Sequence, residues 1–393
     1  MRRTQKPAVA LNKLPGFSLV ELMVALTLGL LVVGAMIQLF AGNRATFNAN
    51  EALARVQENG RFATEILRRE VRSVNFYGTC AAILPITNHL RTDCGTNNVI
   101  SIIFGGDRAI IGWEFLGSGP GETYDALVAE ADLDPDGVNQ NSWRARSGAD
   151  NLDLPAFLQN RVVPGSDVLV LRIPEPVPGV TADPPHGSAA NIDLSGPSGI
   201  RSNELALVTN CTTGVDLFHN TATGNTDQLT AAAGSCTSPG PGNRGLAWST
   251  SYGNTMQVFR IRKQAFYIGY NDTSGEPGLW RVDLSRGIEN AVYEELVGGV
   301  ETMQILYGYS LPADQGGDGQ TVNFWLTADA VPDWDFVIAV RIGLVARSSE
   351  GMSAGSLRRT FNLAGTTFTH PDDVRLRHQF SVTISLRNQQ LVL

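Results

Sequence analysis

The chain has 393 residues, of which 43% are hydrophobic and 17% charged, so disorder of the whole chain is excluded and a sizeable core can form. The formal net charge is −8, and residues 1–16 carry four basic residues and no acid, which leaves −12 for the rest. A surface this acidic repels phosphate backbones, and no run of Lys and Arg interleaved with aromatic residues reverses the local field. The sequence therefore does not favour nucleic-acid binding.

The N-terminal region joins a short basic segment to a long apolar one. Four basic residues precede Pro15-Gly16, and an apolar stretch of 25 residues then runs from Phe17 to Ala41. About 20 apolar residues suffice for a helix to cross a bilayer. Positive charge before the stretch favours a cytoplasmic N-terminus, with the rest of the chain on the other side of the membrane. An ordinary secretory signal is cut after its apolar core, whereas a cut at Gly16 would keep the apolar helix.

Glu21 is the one acidic residue in this apolar stretch. An ionised carboxylate inside a membrane costs a few kcal/mol, so it indicates a partner or a function. The alternative is a carboxylate near the membrane surface that reaches the headgroups or stays protonated.

The segment Gly16-Phe17-Ser18-Leu19-Val20-Glu21, with its basic leader and apolar helix, resembles the class III signal of type IV pilins and pseudopilins. In that family a prepilin peptidase cuts after the glycine, the new N-terminal residue is N-methylated, and the glutamate is needed for filament assembly. The resemblance implies cleavage between Gly16 and Phe17, methylation of Phe17, and Glu21 as the assembly carboxylate.

The arrangement of Phe17 and Glu21 allows an ion pair between neighbouring helices. Cleavage creates a cationic amine on Phe17, and Glu21 of a neighbouring helix can neutralise that amine in a bundle of low dielectric. An unpaired Glu21 would penalise a wrong register, so the ion pair would set the axial stagger between subunits.

One long helix is predicted because no proline occurs between Phe17 and Leu84. After Ala41 the helix becomes amphipathic, and its apolar side recurs at steps of three and four residues: Val56, Gly60, Ala63, Leu67, Val71 and Val74. This second part should lie on a globular head and end near residues 75–78, where Gly78 can adopt the left-handed conformation. The predicted division is a leader (1–16), a transmembrane or filament-core helix (17–41), an amphipathic helix (42–78) and a β-rich head (79–393).

The head is predicted to be built from strands. Runs of β-branched and aromatic residues indicate strands at 99–104, 109–115, 168–173, 204–208, 256–261, 264–270, 278–282, 300–311, 336–348 and 378–386. Polar stretches at 174–203 and 210–254 are predicted to be surface loops. The expected fold class is α+β, with the N-terminal helix packed on an antiparallel sheet. The middle of the chain is long enough to form a second β-rich lobe.

Later segments are similar to the PilW-type minor pilins. The likeness is carried by Val56–Ala63, Phe266–Gly269, Glu294–Glu301, Val340–Val345 and Arg377–Phe380, among others. It implies a minor pilin that primes type IV pilus assembly at or near the filament tip. The implied partners are other minor pilins, the major pilin, the prepilin peptidase and the inner-membrane assembly platform. The chain would cross the inner membrane once, with its head in the periplasm, and then join the surface pilus.

Two alternatives remain open. A minor pseudopilin of a type II secretion system would share Phe17 and Glu21. A pilus-tip adhesin or calcium-dependent binding subunit would instead use acidic loops for recognition. Asp132, Asp134 and Asp136 imitate the opening of an EF-hand loop, but the twelfth position is Trp143 where a bidentate Glu is required, so a solvated turn is favoured over a loose calcium site.

Four cysteines, Cys80, Cys94, Cys211 and Cys236, lie in the part expected to be exported. An even number in an oxidising compartment suggests two disulfides with three possible connectivities, of which the sequence-local pairing 80 with 94 and 211 with 236 is preferred. The absence of CxxC spacing in the sequence disfavours zinc. Ser353 lies in a GxSxG match, but the residues that follow it do not suit a nucleophile elbow, so neither an enzyme nor a cofactor is expected.

Overall fold

The computed structural model describes residue 16 and residues 18–76, 86–91, 109–125, 142–147, 150–185, 191–223, 227–235, 242–349, 359–370 and 373–386. The chain divides into two compact units, Met1–Glu51 and Ala52–Leu393. A single helix contributes its first part to one unit and its second part to the other.

Helix α1 extends over Leu19–Arg72, 54 residues without a proline. It ends a few residues earlier than the sequence suggested, because Asn75 adopts the left-handed conformation with φ of 54° and the chain turns there. Asparagine tolerates this conformation better than most residues. Gly78, to which the sequence assigned that role, lies outside the described residues.

The larger sheet contains ten of the described strands. In spatial order, eight of them run β1-β9-β8-β11-β6-β2-β4-β5, and β12 joins β11 to β13. Their bounds are β1 Thr87–Asn88, β2 Ile110–Phe115, β4 Trp143–Ser147, β5 Asp150–Asp153, β6 Val168–Val177, β8 Leu205–Thr209, β9 Val215–His219, β11 Gln257–Tyr270, β12 Pro277–Asp283 and β13 Val292–Gly298.

The 14-residue strand β11 organises this sheet. Along one edge it pairs with β6, from Val258 to Phe266. Along the other edge its first half pairs with β8 and its second half with β12. The sequence predicted two strands here, because Arg262-Lys263 interrupts the apolar pattern, whereas the structure has one.

Two smaller sheets complete the main body. A four-stranded sheet has the order β15-β14-β16-β19, and a three-stranded sheet has the order β17-β18-β3. Their bounds are β3 Thr123–Asp125, β14 Val300–Tyr309, β15 Phe324–Leu326, β16 Val337–Arg347, β17 Thr360–Leu363, β18 Thr366–Thr369 and β19 Arg377–Ser385. The apolar side chains of β2, β6, β14, β16 and β19 join those of the second part of α1 in one core.

The middle of the chain forms a second β-rich region with its own core. Short strands β7 (Asn191–Asp193) and β10 (Gln228–Thr230) pair with each other. Their residues Ile192 and Leu229 are buried together with Phe218 and Tyr252 in a cluster separate from the main core. The predicted α+β class with a long N-terminal helix is therefore confirmed, together with a second β-rich region. The polar stretch 210–254, expected to be loop, contains β9 and β10.

Candidate functional site on the N-terminal helix

The first turn of α1 is closed by a reciprocal pair of hydrogen bonds. The Val20 amide donates to the Ser18 hydroxyl oxygen at 3.3 Å, and the Ser18 amide donates to a Glu21 carboxylate oxygen at 3.3 Å. This is a capping box, which satisfies two amides that the helix itself cannot. Sequence reasoning assigned Glu21 an assembly role and missed this one, although the S-x-x-E spacing signals it. Gly16 is exposed, and Phe17 lies outside the described residues.

The helix after this cap presents an apolar surface without cover. Every large hydrophobic side chain from Leu19 to Phe40 is more than half exposed. Burying such a side chain contributes about 1.5–3 kcal/mol, so this surface gains strongly from lipid or from other helices. By length and composition the helix can cross a membrane.

The second part of α1 is seated on the head through a glycine. A Cβ built on Gly60 would lie 2.0 Å from Cε2 of Phe380 on β19, so only glycine permits this approach of helix to sheet. One residue earlier, the Asn59 side-chain amide donates to the Gly298 carbonyl at 2.9 Å. Val56, Ala63 and Leu67 are fully buried beside it. The predicted apolar side of the helix is therefore the side that packs.

Further along, charged side chains fix the same helix to the larger sheet. The Glu70 carboxylate is nearly buried, and it lies 3.0 Å from the Arg69 guanidinium and 3.7 Å from that of Arg262 on β11. Beyond the helix end, the buried Arg172 of β6 donates to the Asn75 side chain at 3.2 Å. Buried charges of this kind need partners, and two of these partners, Arg262 for Glu70 and Asn75 for Arg172, come from segments distant in the sequence.

An ionic cluster supports the turn that receives Asn59. The Arg347 amide donates to the Gly299 carbonyl at 2.7 Å, and its guanidinium donates to Glu301 at 3.0 Å and to Glu276 at 2.9 Å. Glu301 also accepts two hydrogen bonds from the buried Arg377, at 2.7 and 3.0 Å. The cluster ties together the start of β14, the end of β16 and the start of β19.

The pKa values of this cluster follow from these contacts. Burial alone would raise the pKa of Glu301, but His370, whose Nδ1 atom lies 2.9 Å from the carboxylate, and the hydrogen bonds from Arg377 hold that pKa well below its usual range. Burial opposes the charge of Arg377 as well, yet its hydrogen bonds to Asp373 and Glu301 raise its pKa. The carboxylate and the guanidinium are consequently both charged over the whole physiological range.

A second buried cluster combines His89, Asp216, Ser249 and Tyr252. The His89 Nε2 atom lies 2.7 Å from an Asp216 carboxylate oxygen, and the Ser249 hydroxyl donates to the other oxygen at 2.6 Å. Tyr252 also donates to Asp216. Ser249 and His89 thus both contact the Asp216 carboxylate. A nucleophilic triad requires the histidine to take a proton from the serine, and His89 is not placed to do so. The cluster binds the loop around Ser249 to β9.

A third cluster pairs two buried carboxyl groups, Glu114 of β2 and Asp167 before β6. Asp167 accepts backbone hydrogen bonds from Phe115 at 3.0 Å and Ile305 at 2.7 Å, which joins β2 to β14. Burial, followed by the charge of Asp167, raises the pKa of Glu114 far above its usual range. Glu114 is therefore protonated at neutral pH.

Several predicted site residues lie outside the described residues: Asp132, Asp134, Asp136, Ser353, Cys80, Cys94 and Cys236. Among the residues that the structure describes, no three His, Cys, Asp or Glu side chains are grouped so that they could hold a metal ion. Cys211 is disulfide-bonded, so its partner is one of the other three cysteines. The pairing with Cys236 stays a prediction.

Comparison with known families gives one match. Residues 265–388, roughly a third of the chain, match the family described as PilW, Type IV Pilus-assembly protein W. This match includes β12–β19 and the last six residues of β11, and thus the sheet on which α1 is seated. No curated protein and no solved structure matches the chain significantly. The match supports involvement in type IV pilus assembly, and the apolar helix is a candidate membrane anchor for such a protein.

Proposed function

We propose that this protein is a minor pilin that primes type IV pilus assembly, at or near the filament tip. The observation that carries the proposal is the difference in surroundings between the first and the second part of α1. The large hydrophobic side chains of its first part are exposed, and its second part is seated on a sheet within the segment that matches the pilus-assembly family. A helix with one uncovered apolar end suits a subunit that waits in a membrane and then packs among other helices.

In this proposal the prepilin peptidase cuts between Gly16 and Phe17 and removes residues 1–16. Phe17 becomes the methylated N-terminus, residues 17–41 form the anchor, residues 42–78 join the anchor to the head, and residues 79–393 form the head. The freed amine of Phe17 pairs with Glu21 of an adjoining subunit. The partners are other minor pilins, the major pilin and the inner-membrane assembly platform, and the head moves from the periplasm to the cell surface.

The capping box makes a sharp test of Glu21 possible. Glu21→Gln keeps an oxygen that can accept the hydrogen bond from Ser18 but removes the charge, whereas Ser18→Ala removes the hydroxyl cap and keeps the charge. In a strain that lacks the gene, we expect Glu21→Gln to fail to restore surface pili and Ser18→Ala to restore them. Glu58→Gln, an exposed glutamate of the same helix, is the matched control.

Pili are counted by electron microscopy, and peptide sequencing of the membrane-extracted protein establishes whether it begins at Phe17. Restoration of pili by Glu21→Gln would refute the charge-pairing step. A mature protein that still begins at Met1 in cells with an active peptidase would refute the whole proposal. Normal pili combined with defective protein secretion in the deletion strain would favour the pseudopilin alternative.

A further inference from the structure

Where α1 lies on the head, its outward side is basic and has an aromatic centre. Phe62, Glu65, Arg69 and Arg72 follow one another at helical spacing, and Arg61 and Arg68 flank them. We call these six residues the basic helix face. Phe62 is 47% exposed, and Arg61 and Arg72 are exposed without an ion pair to any other residue that the structure describes.

The remaining charges on the basic helix face are only partly compensated. Arg68 lies 3.3 Å from Glu65, but both side chains are exposed, so this pair contributes little. The Arg69 guanidinium contacts the nearly buried Glu70 and is itself 68% exposed. The face therefore carries excess positive charge on a chain whose net charge is −8.

The chain presents a surface of the opposite kind elsewhere. Residues 287–340 contain nine acidic residues and no Lys or Arg. Within them, residues 311–335, which we call the acidic segment, connect β14 to β16 and expose Asp314, Asp318 and Asp333. Hydrogen bonds from Thr321 and Gln320 lower the pKa of Asp318 to about 2, so this carboxylate remains ionised.

The acidic segment already accommodates one guanidinium group. Arg341 of β16 stacks on the ring of Trp325, with its Cζ atom 4.1 Å from the ring centroid. Next to it Phe324 is 52% exposed. Ionised carboxylates bind arginine through salt bridges, and exposed aromatic rings bind it through cation–π contacts.

From this complementarity we propose that the basic helix face of one copy of this chain binds the acidic segment of a second copy. The basic helix face and the acidic segment lie on different elements, so the contact joins two unlike surfaces. In a pair of copies, one copy therefore keeps a free acidic segment and the other a free basic helix face. Such a heterologous contact extends into a helical filament unless its rotation closes a ring. The inference rests on the proposed assembly function, because an open contact of this kind serves a filament.

The size of the contact fits subunits held on one membrane. The basic helix face spans about 17 Å along the helix, so the buried area lies at the low end for specific interfaces. A weak contact becomes effective when a shared membrane raises the local concentration of both partners. It should also weaken with salt, because its ion pairs are solvent-exposed.

The test places p-benzoylphenylalanine at Phe62 of the full chain, reconstituted in phosphatidylcholine vesicles. Illumination should cross-link two copies, and peptide mapping should locate the second end within residues 311–335. The double variant Arg61→Glu/Arg72→Glu should lower the cross-linked yield at least about fivefold, and raising the salt from about 50 mM to about 500 mM should lower it as well. Adding Asp314→Arg/Asp318→Arg to the double variant should restore most of the yield.

The matched control is Arg201→Glu/Arg286→Glu, which changes the net charge equally on exposed arginines elsewhere and should leave the yield unchanged. Circular dichroism and the thermal midpoint confirm that each variant is folded. Cross-links to lipid only, no cross-link, cross-links that map outside residues 311–335, or a yield that resists the charge reversals would each overturn the inference. Because vesicles contain no assembly machinery, this result is independent of the pilus counts that test Glu21.

Discussion

The buried carboxyl pair provides the most quantitative prediction. Glu114 and Asp167 are 4% and 1% exposed, and Asp167 receives two backbone amides, so the shared negative charge is favoured on Asp167 and the proton on Glu114. Glu114→Gln replaces the protonated carboxyl with a neutral amide of nearly the same shape. We expect this substitution to change how the free energy of unfolding depends on pH.

The direction in which the free energy of unfolding changes with pH follows from the number of protons that the folded and unfolded states bind. Burial raises the pKa of Glu114 in the folded protein, whereas an unfolded glutamate has a pKa of about 4.3. Above that value the folded state holds a proton that unfolding releases, so the free energy of unfolding falls by about 1.4 kcal/mol per pH unit. Between pH 5 and pH 8 the loss approaches about 4 kcal/mol for one fully retained proton. The Glu114→Gln variant should lack this contribution, so its free energy of unfolding should fall less steeply with pH than that of the wild type. The slope that the variant keeps should come from Asp167, whose pKa burial raises to about 7.

Urea unfolding of the full chain in detergent, followed by tryptophan fluorescence at several pH values, measures this slope. Glu58→Gln is the matched control, because Glu58 is exposed on α1 and is not among the charges that shift the pKa of Glu114. It should leave the slope unchanged. If wild type and Glu114→Gln lose stability in parallel between pH 5 and pH 8, Glu114 is ionised in the folded protein and the reasoning fails.

Three further predictions concern the seat of the helix and the covalent framework. Gly60→Ala should destabilise the wild type by about 1–2 kcal/mol, because overpacking against Phe380 outweighs the gain in helix propensity. In a Phe380→Ala background the same substitution should stabilise the protein by about 1 kcal/mol. Equal effects in both backgrounds, measured by urea unfolding, would contradict the predicted clash. Arg377→Ala should cost about 3 kcal/mol in the same assay, because it leaves the Glu301 charge undercompensated, and Arg359→Ala, an exposed control, should cost less than about 0.5 kcal/mol. Reduction of the disulfide at Cys211 should lower the free energy of unfolding by about 2–4 kcal/mol, and an unchanged urea midpoint after reduction would refute a stabilising role.

The sequence carried enough information to predict the helix and most of the long strands. The helix was predictable because it lacks proline and because its apolar residues recur at helical spacing from Val56 to Val71. Strands such as β14 and β16 were predictable because β-branched, aromatic and other apolar residues predominate in them and no two charged residues stand side by side. In each case the signal is local, so it does not depend on the rest of the fold.

Features that depend on distant partners were not predictable. The charged pair Arg262-Lys263 reads as a break between two strands, yet Arg262 continues β11 because Glu70 and Glu175 compensate its charge. The short strand β9 lies in a polar stretch, and its buried Asp216 depends on His89 and Tyr252. The same holds for the candidate site, where Glu21 stood out from its neighbours but the contact of Gly60 with Phe380 joins residues 320 positions apart.

The geometry of β11 has a consequence for how the head bears load. One edge of this strand pairs with β6 from Val258 to Phe266, while the opposite edge pairs with β8 in its first half and with β12 in its second. The second β-rich region and the main body therefore share a continuous piece of backbone, with no linker between them at this place. Force applied to either half of β11 is transmitted to the other half through the same ladder of hydrogen bonds, so the second β-rich region and the main body should unfold together.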